Sequence, residues 1–141
     1  MDTWEVRNEK WVKKLELKSR NRVVPDTGVL LGMTPGKVYA PEELPTISIA
    51  PGVRAVVSWA KGTLLELLEM DAGAEYPAQA MTGELITLVE EGTATCELDG
   101  KTIELATGAV LYLTEGMRRA LRAGPAGLKA LEVFSPVRAD H

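Results

Sequence analysis

The sequence predicts an all-β domain of the sandwich or barrel type, on three observations. From Val53 onward, short apolar-rich runs recur at roughly 8–12-residue spacing with glycine turns between them. Asp99-Gly100 separates two of those runs and is the strongest short hairpin signal in the chain. Between Val23 and Pro51, Pro25, Gly28, Gly32, Pro35, Pro41 and Pro45 recur too closely for a long helix to run through.

Taken in order, residues 1–22 hold seven Lys or Arg against four acidic residues, together with Trp4 and Trp11. This segment reads either as a basic arm for something anionic or as an arm that lays two indoles on the barrel or on a second subunit; docking two large aromatics favours the latter. Residues 23–51 read as a wrapping segment with short edge strands at Val29–Leu31 and Thr46–Ile49. Within it, Ala40–Leu44 reads as one helical turn with Pro41 at its first position. The domain division is thus 1–50, arm and edge strands packed on the barrel, and 51–141, the barrel itself. Strands are predicted at Arg54–Trp59 and Thr63–Met70, joined by a tight turn at Lys61-Gly62. Others follow at Leu85–Val89, Thr93–Leu98, Lys101–Leu105, Val110–Leu113, Ala120–Arg122 and Leu128–Phe134. Leu64, Leu65, Leu67 and Leu68 break strict alternation, which predicts a strand covered on both faces, as at a sheet-on-sheet or subunit contact.

Composition narrows the chemistry. At 141 residues, 45 % apolar and 26 % charged, the chain has the balance of one globular domain. A net charge of −4 gives no general attraction to nucleic acid or to an anionic membrane. No apolar run approaches the ~18–20 residues of a membrane span, and no signal-peptide core opens the sequence, so a cytoplasmic location is expected. Cys96 is the only cysteine, which suits a reducing compartment; mid-strand, with no basic neighbour or paired His in sequence, it reads as an inert small hydrophobe. His141 is the only histidine and the last residue, so a metal centre built from imidazoles is not predicted, and no cofactor is. Neither a Gly-x-Ser-x-Gly elbow nor a phosphate-binding glycine loop is present.

Two spacings stand out: Gly73-x5-Gln79-x-Met81-x3-Leu85-x6-Gly92, then Gly108-x5-Thr114-x-Gly116-x2-Arg119-x3-Ala123. They resemble the two cupin motifs, in which two His, a Glu or Gln and a later His hold a metal inside a double-stranded β-helix of jelly-roll type. The ending Glu132-Val-Phe134-Ser-Pro136-Val-Arg138-Ala-Asp140 is similar to that of the pectin-degradation (KdgF-like) cupins, which read Asp-Val-Phe-Ser/Thr-Pro-x-Arg-Glu-Asp. The resemblance runs from about Pro51 to Asp140 and leaves the first fifty residues uncovered. It implies a cupin jelly-roll barrel with an N-terminal wrapping segment and, for the group, ring opening of unsaturated uronate sugars to a linear keto form.

Carried over residue by residue, the metal-ligand slots fall on Gln79, Met81, Leu85 and Arg119. Gln79 offers one oxygen, Met81 a soft thioether and Leu85 nothing, while a fixed positive charge at Arg119 repels a cation. The tail positions of the group fall on Glu132, Phe134 and Arg138. The expected site is therefore metal-free: Gln79, Met81, Leu85, Arg119, Phe134 and Arg138 as ligand contacts, with Glu132 as the general acid or base of any catalysis. Alternatives stay open at several positions. Arg119 either points inward in place of the metal or, after a one-residue slip, lies at the rim. Arg138 either clamps a carboxylate or forms a structural salt bridge, and Met81 and Leu85 either touch a ligand or pack the barrel. Three functions remain: binding of a small anionic metabolite such as a sugar acid, metal-independent isomerase or lyase chemistry on one, or a structural cupin with a filled barrel. The doubly apolar strand, the two Trp residues and the resemblance further suggest a homodimer.

Overall fold

In the computed structural model, residues 33–135 are described; the expected strand at Val29–Leu31, the two N-terminal Trp residues and Arg138 lie outside them. A single 3₁₀ turn, Pro41–Glu43, closed by the Leu44 N–H donating to the Pro41 carbonyl, precedes eight strands. These are β1 (Thr46–Ala50), β2 (Val53–Trp59), β3 (Leu64–Met70), β4 (Glu75–Ala80), β5 (Glu84–Leu98), β6 (Lys101–Leu105), β7 (Val110–Leu113) and β8 (Arg118–Ser135). Among the described residues no helix is long and apolar enough to cross a membrane.

The strands form one continuous antiparallel ladder that folds over on itself. Residues 128–135 of β8 lie between β3 and the first half of β5, which also pairs β7. Residues 118–123 of β8 lie between β4 and the second half of β5, which also pairs β6. The larger layer is therefore β1-β2-β3-β8-β5-β7 and the smaller is β4-β8-β5-β6, with β5 and β8 running through both. Inward positions alternate along the central strands, as Leu64, Glu66, Leu68 and Met70 do in β3, and meet in a barrel core.

Most predicted strands stand where the sequence places them. Two differences have physical causes. The runs Leu85–Val89 and Thr93–Leu98 are the halves of the single β5, and Ala120–Arg122 and Leu128–Phe134 are the halves of β8. Glycine and small residues mark the break in sequence, but in space they bend a strand rather than end it, with register shifts between Val89 and Glu91 and between Gly92 and Ala94. Strand β4 is not legible, because Glu75-Tyr-Pro-Ala-Gln-Ala contains Pro77 and lacks alternation. Its pairing to β8 alone makes it an edge, where proline is tolerated, and its register slips between Tyr76 and Gln79. The Asp99-Gly100 turn has φ of 49° and 85°, the left-handed pair that a type I′ hairpin requires.

The bend is a close backbone crossing. Gly92 has φ 86°, and a Cβ there would lie 2.0 Å from the Gly127 carbonyl oxygen. Gly108 has a similar φ of 89° but open space around it. Gly108→Ala should therefore cost only the left-handed penalty, about 1–2 kcal/mol, whereas Gly92→Ala adds a backbone clash and should cost clearly more. Urea unfolding of the two variants checks the order; equal losses would show that the crossing relaxes freely.

Candidate functional site

The bend brings together residues that the sequence keeps apart. Arg119 and Glu132 lie 13 positions apart on β8; on a straight strand that spacing would be about 43 Å at ~3.3 Å per residue. In the folded barrel an Arg119 guanidinium nitrogen, Nη1, sits 2.6 Å from Glu132 Oε2. Arg119 is 2 % exposed and Glu132 0 %. The inward orientation of Arg119 follows from the pairing of β8, whose buried positions Arg119, Leu121 and Ala123 alternate with Ala120 and Arg122.

Thr87 of β5 completes a closed triangle. Its hydroxyl accepts from Arg119 Nη1 at 3.2 Å and donates to Glu132 Oε2 at 2.7 Å. Thr87 stands opposite Glu132 in the β5–β8 register, and Glu66 of β3, 0 % exposed, stands opposite Glu132 on its other side. The Arg119 guanidinium carbon lies 5.1 Å from the centroid of the Tyr76 ring, a cation–π distance. Burial pulls the guanidinium pKa down, but the charges of Glu132 and Tyr76 and the hydrogen bond that Arg119 donates to Glu132 outweigh it and leave the pKa above its ordinary value. Because the folded pKa is raised, the stabilisation from this group is complete below the unfolded value and is lost only as pH climbs through the folded one. Arg119 is thus charged at every pH the protein meets.

The polar triangle is not saturated. Among the described residues, Arg119 Nε and Glu132 Oε1 are buried without a hydrogen-bond partner, one donor and one acceptor left over within the triangle. Apolar groups flank the layer. Met81, Leu85 and Leu113 form a small cluster with Phe134 against it, and the main core holds Leu64, Leu68, Val89 and Ala130. Cys96 is also buried; desolvation pushes its thiol pKa up while the Arg119 charge pulls the other way.

Of the sequence-predicted residues, Arg119 and Glu132 come together, and Phe134 packs on the cluster of Met81 and Leu85. Gln79 is only partly buried, on the edge strand opposite Arg119, and has no place in the triangle. Glu84 faces outward as alternation requires, where it accepts from the Tyr112 hydroxyl. Sequence reasoning missed Glu66 and Thr87, although the signal was present. Glu66 is two residues from both Leu64 and Leu68, and Thr87 is two residues from both Leu85 and Val89, so each shares an inward face. Among the described residues no three His, Cys, Asp or Glu side chains gather as metal ligands. A groove of about 580 Å³ on the smaller layer is lined by Glu75, Arg122, Thr95 and Glu97 among others. Its polar groups are already tied, in the Arg122–Glu75 and Thr102–Glu97 contacts, and it touches none of the predicted site residues.

Comparison with known proteins agrees with this geometry at the level of fold. No family model matches the sequence, and no curated protein matches it significantly. Solved structures do match. KdgF from Halomonas sp. superposes with a TM-score of 0.64 at 18 % identity, over 72 % of this chain and 94 % of that one. An RmlC-like cupin from Shewanella frigidimarina gives 0.65 at 20 % identity, over 76 % and 96 %. The cupin domain of Cnp3 from Schizosaccharomyces pombe gives 0.60 at 13 % identity, over 70 % and 73 %. The protein has the cupin fold. Its motif positions carry Gln79, Met81, Leu85 and Arg119 in place of the usual metal ligands.

The triangle predicts a graded response at Thr87. Thr87→Val keeps the shape but deprives Glu132 of a donor and Arg119 of an acceptor, and should cost about 1–3 kcal/mol. Thr87→Ser keeps both contacts and should cost less. Unfolding free energies from urea titration decide; a valine variant as stable as the serine one would mean the hydroxyl contributes nothing.

Proposed function

We propose that this protein is a metal-free cupin whose barrel binds a small hydroxylated carboxylate, a sugar acid or a close relative. One observation carries the proposal: a fully buried ion pair, at the position where the second cupin motif supplies a metal ligand, retains one unused donor and one unused acceptor. A buried pair of this kind contributes little net stability over a well-packed apolar replacement, so its presence asks for another role. A 2-hydroxy acid matches the two unused atoms, its carboxylate accepting from Arg119 Nε and its hydroxyl donating to Glu132 Oε1. The closing-strand resemblance points to the same class of compound and adds Arg138 as a second cation. The cluster of Met81, Leu85 and Phe134 would then face the apolar part of the ligand.

A second reading has its own support. Glu66 and Glu132 stand directly opposite on neighbouring strands, both fully buried. Such a pair is suited to moving a proton, so metal-independent isomerisation or elimination on a bound sugar acid extends the binding proposal without replacing it. A wholly filled barrel is favoured at one end by the packing of Met81, Leu85 and Leu113, but it leaves the polar layer unexplained.

A thermal-shift screen of sugar acids and 2-hydroxy acids tests the proposal. At a hundred times its Kd a ligand adds about 2.7 kcal/mol to the unfolding free energy, which a melting curve resolves. Glu132→Gln keeps the shape and should weaken any such ligand by at least tenfold, since a bond to a charged acceptor is worth about 1.5–3 kcal/mol. A response that survives this change unaltered would place binding elsewhere, and no response across the series would favour the filled barrel.

A further inference from the structure

The two oxygens of the Glu132 carboxylate are unequally used. Oε2 accepts from Arg119 Nη1 and from the Thr87 hydroxyl. Oε1 is equally removed from water and accepts from nothing among the described residues. Paired with a guanidinium, the carboxylate is an acceptor only, with no proton to offer. Thr87 cannot supply Oε1, because its single proton already goes to Oε2. The side chains packed at this end of the barrel, Met81, Leu85, Leu113 and Phe134, carry no donor at all. Oε1 is therefore a desolvated acceptor that only a donor on a bound molecule would satisfy.

We propose that Glu132 makes the barrel selective for a 2-hydroxy acid over the 2-keto acid of the same skeleton. This rests on the reading of the barrel as a carboxylate site and adds the polarity that the ligand's second carbon must have. Both members of such a pair offer Arg119 Nε the same carboxylate, so Arg119 does not choose between them. Glu132 does. A hydroxyl on the second carbon donates to Oε1. A keto oxygen can only accept, so it leaves Oε1 unpaired and sets two electron-rich oxygens against each other in a low-dielectric interior. A site built to bond a hydroxyl rejects an analogue lacking it far more strongly than an apolar pocket rejects a missing methylene.

The same contacts fix how a glutamine would lie at position 132. Arg119 Nη1 and the Thr87 hydroxyl both donate to the Oε2 position, so an amide oxygen takes that place and the amide NH2 takes the place of Oε1. The unused atom is then a donor, and the choice between hydroxyl and keto oxygen reverses.

Calorimetric titration of the full chain with three matched pairs tests this: lactate and pyruvate, glycerate and hydroxypyruvate, 2-hydroxyglutarate and 2-oxoglutarate, each hydroxy acid as the racemate. Wherever a pair binds, the hydroxy member should bind roughly ten- to a hundred-fold tighter, the value of one bond to a charged acceptor. In Glu132→Gln the ratio should fall to one or invert, a change that a merely structural role for Glu132 would not produce. Equal affinities in the wild-type protein, or a preference for the keto member, overturn the selection and leave the carboxylate reading standing. Silence from all six compounds overturns both. A Glu132→Gln protein that keeps the wild-type ratio overturns the assignment to Glu132. The wild-type comparison decides alone if that variant fails to fold.

Discussion

Placing two opposite charges inside a small β-barrel constrains everything around them. Arg119 and Glu132 are both removed from water, and an isolated ion in such a place costs several kcal/mol even after the protein relaxes. The cost is tolerable only while the two stay in contact and the remaining polar atoms find partners. Thr87 satisfies part of that need and Tyr76 offers the face of its ring to the cation. The residues of the other motif positions, Met81 and Leu85, turn the neighbouring space apolar, which strengthens the attraction of the pair by lowering the local dielectric.

The contact exists because β8 is one long bent strand. Arg119 sits in its smaller-layer half and Glu132 in its larger-layer half, and only the fold-over between them lets the side chains meet across the interior. That fold-over depends on glycines at the crossing: a Cβ on Gly92 would meet the Gly127 carbonyl oxygen, and one on Gly127 would meet the carbonyl oxygen of Met70. They set where the two layers cross, and the chemistry at the crossing is decided by which side chains point in.

Much of the fold was legible in the sequence, and the reason differs from element to element. Asp99-Gly100, the short apolar-rich runs of β1, β2, β6 and β7, and the two motif spacings are local signals that tertiary structure did not override. The continuity of β5 and β8 was not legible, since the residues that bend a strand are also those that end one. At the site, Glu132 and Arg119 were identified through the resemblance, but their contact was not, because it depends on the geometry of the bend. The inward face of Arg119 was left open by the sequence, and its pairing with β4 and β5 fixes it. Glu66 was hidden for another reason. Leucines on both sides of it made β3 look uniformly apolar, when in fact one set faces the core and the other the outer face of the sheet.

A double-mutant cycle on Arg119 and Glu132 tests most directly whether their contact ties the two layers together. Arg119→Met and Glu132→Leu each leave one uncompensated buried charge and should each cost about 3–5 kcal/mol, while the double variant, with both charges gone, should recover most of that loss. The account predicts a coupling free energy of at least about 2 kcal/mol between the two sites. Additive losses, with a coupling below about 0.5 kcal/mol, would contradict it and show that the two groups do not depend on each other in the folded protein.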